Sequence, residues 1–500
     1  MPTPVLPPLA LAKTLPRGPL VLVVGLGADG VREVPPAVDK AYVRRFGSDV
    51  ATLSAAVGAS TKAGHSRTLP GVDDVRVVVV GLGTGAVDAS ALREAAASGV
   101  RQAGGLAADK GTVAVAVALG ATSVEEALAV SVGSLLGTYA YAGVSSEPTA
   151  PKVDQITVVH DGASRTTDGD YVADVATVLA TSVVAAREWV NIPANLLYPA
   201  SFAEEAQALA KGTRLSCEVL DEGELAAQGY GGLMAVGGGS ARPPRLVRLT
   251  YRPRGAKVHL ALVGKGITFD TGGLNLKPAD GMYTMKCDMA GAAAVLAATW
   301  AIAKLGLKVK VTAYAAMAEN MPSGSAYRPS DVLTIFGGTT VENANSDAEG
   351  RLVMADALAR SNADSPDLVV DVATLTGAAI VALGDRTAGV MATDDPTARR
   401  VLDAAELAGE AFWQLPIPPE TRAKLDSSVA DLRSSGTDRA GGALSAAAFL
   451  REFVDAGTPW AHLDIAGPAF RTGGAEGSFS TGGTGVGVAT LVELARSMAG

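Results

Sequence analysis

Residues 263–294 read VGKGITFDTGGLNLKPADGMYTMKCDMAGAAA, and the fold turns on how this stretch changes character. It is entered from a short, mostly apolar run, 258–263, which suits a strand buried on both faces. It leaves on an Ala-rich run over 290–305 that suits a helix. Between them lie Gly272, Gly273 and Pro278, the punctuation of a turn. Strand, glycine-rich turn and helix in that order form the unit of an α/β protein. In open α/β sheets ligands gather beyond the carboxyl ends of the strands. The strand is expected to end at Lys265, which would place that side chain in such a crevice.

The alternation continues on both sides. Runs 309–315, 368–373 and 462–465 suit further buried, mostly parallel strands, with helices expected over 351–361, 397–408 and 443–453. Upstream, strands are expected at 20–24, 75–80, 114–119 and 155–160, and helices at 89–106 and 171–190. Segment 161–170, DGASRTTDGD, is polar and turn-rich and reads as a linker. A chain of 500 residues exceeds one ordinary domain. It is therefore read as a smaller N-terminal α/β domain, 1–165, with an accessory or assembly role, and a larger catalytic α/β domain, 166–500. The latter is expected to hold a mostly parallel central sheet flanked by helices.

Composition removes several classes. The net charge of −9 argues against a general nucleic-acid or anionic-membrane binder. It resides wholly in 166–500, because acidic and basic side chains balance in the first 165 residues. Two cysteines, Cys217 and Cys287, exclude a disulfide framework and a thiolate zinc site. Four scattered histidines offer no metal-binding spacing, so any metal must be held mainly by oxygen. The first residues lack the pattern of a signal peptide. The longest apolar stretch, 291–307, is broken by Lys304 and reads as a buried helix rather than a membrane span. Gly25, Gly27 and Gly30 form a literal GxGxxG, but Pro35 and Pro36 follow and are read as hostile to the helix that a dinucleotide turn requires. Neither a phosphate loop nor a serine nucleophile elbow occurs, and Cys287 reads as structural. The expected location is the cytoplasm.

What remains is carboxylate chemistry. Asp270 and Asp288 lie in the decisive stretch with Lys265 and Lys277, and 343–351, NANSDAEGR, adds Asp347, Glu349 and Arg351. If that second segment is extended, the i, i+2 rule turns its three charged residues to one cleft. Four carboxylates without histidine or thiolate suit hard or borderline divalent cations, and their number suits two metals about 3.5–4 Å apart. Two-metal peptidases and two-metal phosphoesterases both remain open on these grounds.

Lys265-x4-Asp270-x6-Lys277-x10-Asp288 followed by Asn345-Ser346-Asp347-Ala348-Glu349-Gly350-Arg351 resembles the leucyl aminopeptidases, the cytosol aminopeptidase family of two-metal exopeptidases. The resemblance extends to 190–195 (VNIPAN), 328–331 (RPSD), 373–378 (ATLTGA) and 462–467 (HLDIAG), and so covers residues 175–500. Ser346 stands where the family usually has threonine. The resemblance implies a tighter metal site of Lys265, Asp270, Asp288 and Glu349, and a looser one of Asp270, Asp347 and Glu349. It further implies that Lys277 binds the scissile carbonyl and its oxyanion. Arg351 would hold a hydrogencarbonate ion as general base, with backbone help from Leu375. Met285, Asn345, Thr374, Leu375, Gly377 and Ala466 would contact substrate. Two divalent ions per subunit (Mn²⁺ or Zn²⁺), peptide substrates with a free N-terminus and a homohexamer complete the implication. Some relatives also bind DNA as architectural regulators; the charge-balanced N-terminal part offers no basic stripe for that role.

Overall fold

The computed structural model describes residues 6–108, 111–147, 152–160, 166–436, 438 and 440–499. Contacts divide the chain into two compact units, Pro2–Val184 with Thr472–Thr481, and Ala185–Arg471 with Gly482–Gly500. Composition suggested residue 165 as the boundary. The contact division falls later, inside a helix that runs Thr166–Asn191. Of the expected linker, residues 161–165 lie outside the described set.

The first unit carries strands β1 (Leu9–Ala12), β2 (Leu20–Gly27), β3 (Gly30–Val31), β4 (Ser66–Thr68), β5 (Val75–Gly81), β6 (Val113–Ala118) and β7 (Val153–Val159). Their order is β1-β7-β6-β2-β5-β4, with β3 paired to β2. All are parallel except β4 and β3. The glycine motif is a strand-exit hairpin, Leu26 facing Val31 and Gly27 facing Gly30, so no helix opens on it. One expectation needs correction. A helix, α1 (Pro36–Phe46), does start at the proline pair, with Pro36 in its first turn. There a missing N–H costs nothing, because that donor has no intrahelical partner anyway. Helices α2 (Ala89–Gly104) and α3 (Val124–Gly137) follow their strands, the latter entered through a Ser123/Glu126 capping box.

The second unit is built on β8 (Leu215–Leu220), β9 (Arg245–Tyr251), β10 (His259–Asp270), β11 (Lys310–Asn320), β14 (Leu368–Ala373), β15 (Ala388–Ala392), β16 (Phe412–Gln414) and β18 (Trp460–Asp464). Between these in sequence, β12 (Val332–Thr334), β13 (Thr340–Glu342) and β17 (Leu432–Arg433) make a small separate sheet. The eight-stranded order is β16-β15-β18-β14-β10-β11-β9-β8. Its centre, β18-β14-β10-β11, is parallel, while β9 and β15 join their inner neighbours antiparallel. Both central strands of the decisive region run longer than expected: β10 continues through Lys265 to Asp270, and β11 continues to Asn320.

Helix α4 (Thr166–Asn191) leads into this unit, α5 (Ala290–Leu305) packs on β10, and α6 (Glu349–Asn362) covers β10 and β11. The stretch Ala279–Leu305 is long and apolar enough to cross a membrane, yet 83% of its most apolar window is buried inside the protein. It is a core helix, as the Ala-rich sequence suggested. A continuous core of Leu246, Val263, Ile267, Leu352, Val353, Phe449 and Trp460 lies under the sheet face that α6 covers. Truncating a side chain as large and buried as Trp460 to alanine would cost about 3–5 kcal/mol. That rigid core fixes the strand ends on which the site stands.

Candidate metal centre

Lys265 and Asp270 sit on one strand at an odd spacing, which in a regular strand would turn them to opposite faces. The structure shows how they nonetheless serve one site. Ile267 faces Ala318 but Phe269 faces Glu319, so Thr268 is an extra residue and β10 bulges there. One inserted residue resets the alternation. Lys265 Nζ reaches Glu349 Oε1 at 2.8 Å. One carboxylate oxygen from each of Asp270, Asp347 and Glu349 comes within 4.8 Å of the other two. Lys265 therefore does not end the strand; Asp270 does.

Asp288 closes a short 3₁₀ turn, Met285–Cys287, just before α5. Glu349 is the first residue of α6, and Asp347 lies in the turn before it. The extended reading of 347–351 is thus corrected: on a helix, i and i+2 point about 200° apart. Arg351 leaves the carboxylate cluster and donates from one terminal nitrogen to the Ser434 carbonyl at 2.7 Å. It is buried, its Nε has no partner, and burial pulls its pKa down to about 10 despite the charges of Glu349 and Asp464. Gly350 is needed between them, because a Cβ there would stand 2.4 Å from Lys265 Cε.

The electrostatics are those of an under-neutralised anionic cluster. Lys265 Nζ contacts Asp288 Oδ1 at 2.9 Å, Asp288 Oδ2 at 2.8 Å and the Thr374 carbonyl at 3.0 Å. Lys277 Nζ contacts Asp270 Oδ2 at 2.8 Å and also touches Asp347 Oδ1. Burial works against the Lys265 ammonium, but Asp288, Glu349 and Asp270 outweigh it and hold its pKa above the ordinary lysine value. Burial and repulsion from Glu349 push Asp270 up to about 6. Glu349 is held below its ordinary value because Lys265 and Lys277 overcome its desolvation.

Two lysines facing four carboxylates leave a negative excess in a largely dry site. Glu349 Oε2 is buried without a hydrogen bond, and Asp288 Oδ2 is buried with only the ion-pair contact of Lys265. Buried carboxylate oxygens without donors are costly unless a cation meets them. The all-oxygen donor set, with one amine, fits hard or borderline divalent ions.

The remaining candidates fall in three places. Thr374 donates from its hydroxyl to Asp288 Oδ1 at 2.8 Å. The Leu375 and Ala466 amides both donate to Asp464 Oδ1 at 3.2 Å, and Thr376 Oγ1 donates to Asp464 Oδ2 at 2.7 Å. Gly377, exposed, starts helix α7 (Gly377–Leu383). Asp464 thus gathers the Leu375 and Ala466 loops and commits the Leu375 amide. Met285 lies half-buried on the turn that carries Asp288. Asn345 accepts the Asp347 amide at 2.9 Å and shapes the ligand turn from within. Cys287 is buried and its thiol is pushed up to about 12, mainly by desolvation, as befits a structural residue. Sequence reasoning missed Asp464, Asn320 and Tyr327. Only Asp464 lay in a quoted motif, and nothing in the spacing of the others singled them out.

Known proteins resemble this chain along most of its length. The catalytic-domain profile of the cytosol aminopeptidase family matches residues 184–492, and its N-terminal-domain profile matches 23–148. A probable cytosol aminopeptidase of Cutibacterium acnes is 49% identical over 489 residues, covering 97% of this chain and 95% of that one. Another, of Streptomyces griseus, is 47% identical, with 98% and 97% covered. Among solved structures, the bottromycin maturation enzyme BotP in complex with Mn superposes with a TM-score of 0.84 at 38% identity, covering 96% and 99%. A mutant of tomato leucine aminopeptidase gives 0.87 at 30% identity, covering 98% and 96%.

Proposed function

The chain belongs to the cytosol aminopeptidase family, whose members are metal-dependent aminopeptidases, and from that premise we propose how its residues release N-terminal amino acids from peptides. The observation that carries the reading is the meeting of Asp270, Asp347 and Glu349 around the two lysines, with Glu349 Oε2 buried and without a hydrogen bond. Lys265, Asp270, Asp288 and Glu349 would hold one divalent cation, and Asp270, Asp347 and Glu349 a second. When bound, such a pair supplies Lewis-acid activation of water and of the scissile carbonyl, and a ligand position for a free α-amine.

The chain's own groups do the rest. Lys277, whose Nζ contacts Asp270 and Asp347, would donate to the carbonyl oxygen and stabilise the negative charge that develops there. Arg351 is assigned to hold a hydrogencarbonate ion as general base. Its burial and its unpartnered Nε favour an anion, and the Leu375 amide would be shared between that anion and Asp464. Thr374, Leu375, Gly377 and Ala466, with Met285 and Asn345, would receive the N-terminal residue of leucine-like substrates. Mn²⁺ or Zn²⁺ suits the donor set. A cytosolic homohexamer completes the proposal.

The test is hydrolysis of leucine-p-nitroanilide beside p-nitrophenyl phosphate, before and after chelation. The reading expects anilide cleavage that chelator removes and Mn²⁺ restores. Cleavage of the phosphate ester alone would replace it with a phosphoesterase.

A further inference from the structure

Asp270, like Glu349, is proposed to serve both cations, so its two oxygens must point in fixed directions. One residue outside every assignment above fixes them. Asn320 is fully buried, ends β11 and stands in register with Asp270 at the end of β10. Its Nδ2 donates to Asp270 Oδ1 at 2.8 Å and to the Ser346 carbonyl at 3.0 Å. The Gly272 amide adds a second donor to Asp270 Oδ1 at 2.8 Å. Oδ1 is thereby held back, and Oδ2 is left facing Lys277 and the cluster.

The amide cannot serve equally well the other way round. Rotated, its oxygen would oppose the carboxylate of Asp270 and the carbonyl of Ser346, two acceptors meeting a third. In the observed orientation Oδ1 has no hydrogen bond and lies 2.9 Å from where a Cβ on residue 273 would stand. Gly273, at φ +63°, leaves that space open. The Asn320 backbone carbonyl also receives Thr271 N at 3.1 Å and Thr271 Oγ1 at 2.8 Å. One residue therefore joins the loop after Asp270 to the loop before Asp347.

We propose that Asn320 is a positioning residue for metal binding: its carboxamide orients Asp270 and ties together the two loops that carry the metal ligands. Donors behind a ligand generally change metal affinity about 10–100-fold when removed. The inference rests on the metal assignment above, and its test reads metal rather than turnover alone.

Chelator-stripped protein would be titrated with Mn²⁺ by calorimetry in the full-length wild type, Asn320→Leu and Tyr327→Phe. Tyr327 is the control, because its hydroxyl donates to the same Ser346 carbonyl at 2.7 Å without touching Asp270. Asn320→Leu should bind Mn²⁺ about 10–100-fold more weakly. Its kcat should return toward wild type at saturating Mn²⁺, with the Mn²⁺ concentration for half activity raised. Tyr327→Phe should keep wild-type affinity. If Asn320→Leu does not fold, Asn320→Ser, smaller and still able to donate one hydrogen bond, replaces it with the same expectation in weaker form. Unchanged Mn²⁺ affinity in a folded position-320 variant, or an equal loss in Tyr327→Phe, would overturn the proposal. A wild type that takes up no Mn²⁺ would overturn the metal assignment as well.

Discussion

Lys265 and Asp270 serve the same site only because β10 carries one extra residue, Thr268, between them. An odd spacing on a regular strand separates side chains across the sheet, and a single bulge brings them back together. The proposed metal centre therefore depends on a backbone irregularity as much as on the side chains assigned to it. Deleting Thr268 should return Asp270 to the far face, and the deletion variant should bind at most one Mn²⁺ per chain by elemental analysis. Two tightly bound metals in that variant would show that the bulge is dispensable.

Gly350→Ala gives a test in which two effects have opposite signs. In an ordinary helix the change adds about 0.5–1 kcal/mol of stability. Here the new methyl would meet Lys265 at 2.4 Å from Cε and 2.6 Å from Nζ. The lysine must then leave its place, so Mn²⁺ affinity should fall by about tenfold or more. Calorimetric titration would check this, and unchanged affinity would mean that Lys265 is not needed at the metal.

Metal uptake should strengthen as pH rises. Lys265 enters the reaction as an ammonium held above its ordinary pKa by Asp288, Glu349 and Asp270, and only the neutral amine has a lone pair to offer. Binding must expel that proton throughout the neutral range. Asp288, which burial raises well above its ordinary value, and Asp270, pushed up to about 6, add further competing protons as pH falls. Proton release on Mn²⁺ binding, measured from calorimetry in buffers of different ionisation enthalpy, should be at least one per chain at neutral pH and larger below pH 6. Lys265→Arg keeps the charge but cannot release its proton, and should lose that contribution together with the tighter metal.

A free N-terminus should be required. Leu-Gly-Gly should be cleaved and its N-acetyl derivative left intact, because an acylated nitrogen is a poor metal ligand. Chromatography of the products over time checks this, and similar rates on both would remove the amine from the account.

The sequence made the parallel core legible, because 258–263 and 368–373 consist of Val, Leu and Ala apart from His259 and Asp371, which suits strands covered on both faces. The ligand set was legible through its spacing to Lys265, Asp270, Lys277 and Asp288 and through the NSDAEGR run. Backbone geometry was not. Nothing in VGKGITFD marks Thr268 as a bulge, and Glu349 reads as extended until α6 is seen to start on it. The outer strands are harder to read, because β15 and β16 are short and β8 leaves most of its residues partly or fully exposed. Asn320 and Asp464 act through hydrogen bonds between loops distant in sequence, for which composition carries no signal.

The central claim is that the Asp270–Asp288–Asp347–Glu349 cluster, with Lys265, holds the cations that drive peptide cleavage. It is tested most directly by adding Mn²⁺ stepwise to metal-stripped wild type and Glu349→Ala, while bound metal and leucine-p-nitroanilide hydrolysis are read on the same samples. The account predicts no activity without metal, activity rising as wild type fills to two Mn²⁺ per chain, and Glu349→Ala folded but depleted of metal, with kcat lower by about 100-fold or more. Full turnover in metal-free wild type, or two bound Mn²⁺ and unchanged kcat in Glu349→Ala, would contradict it.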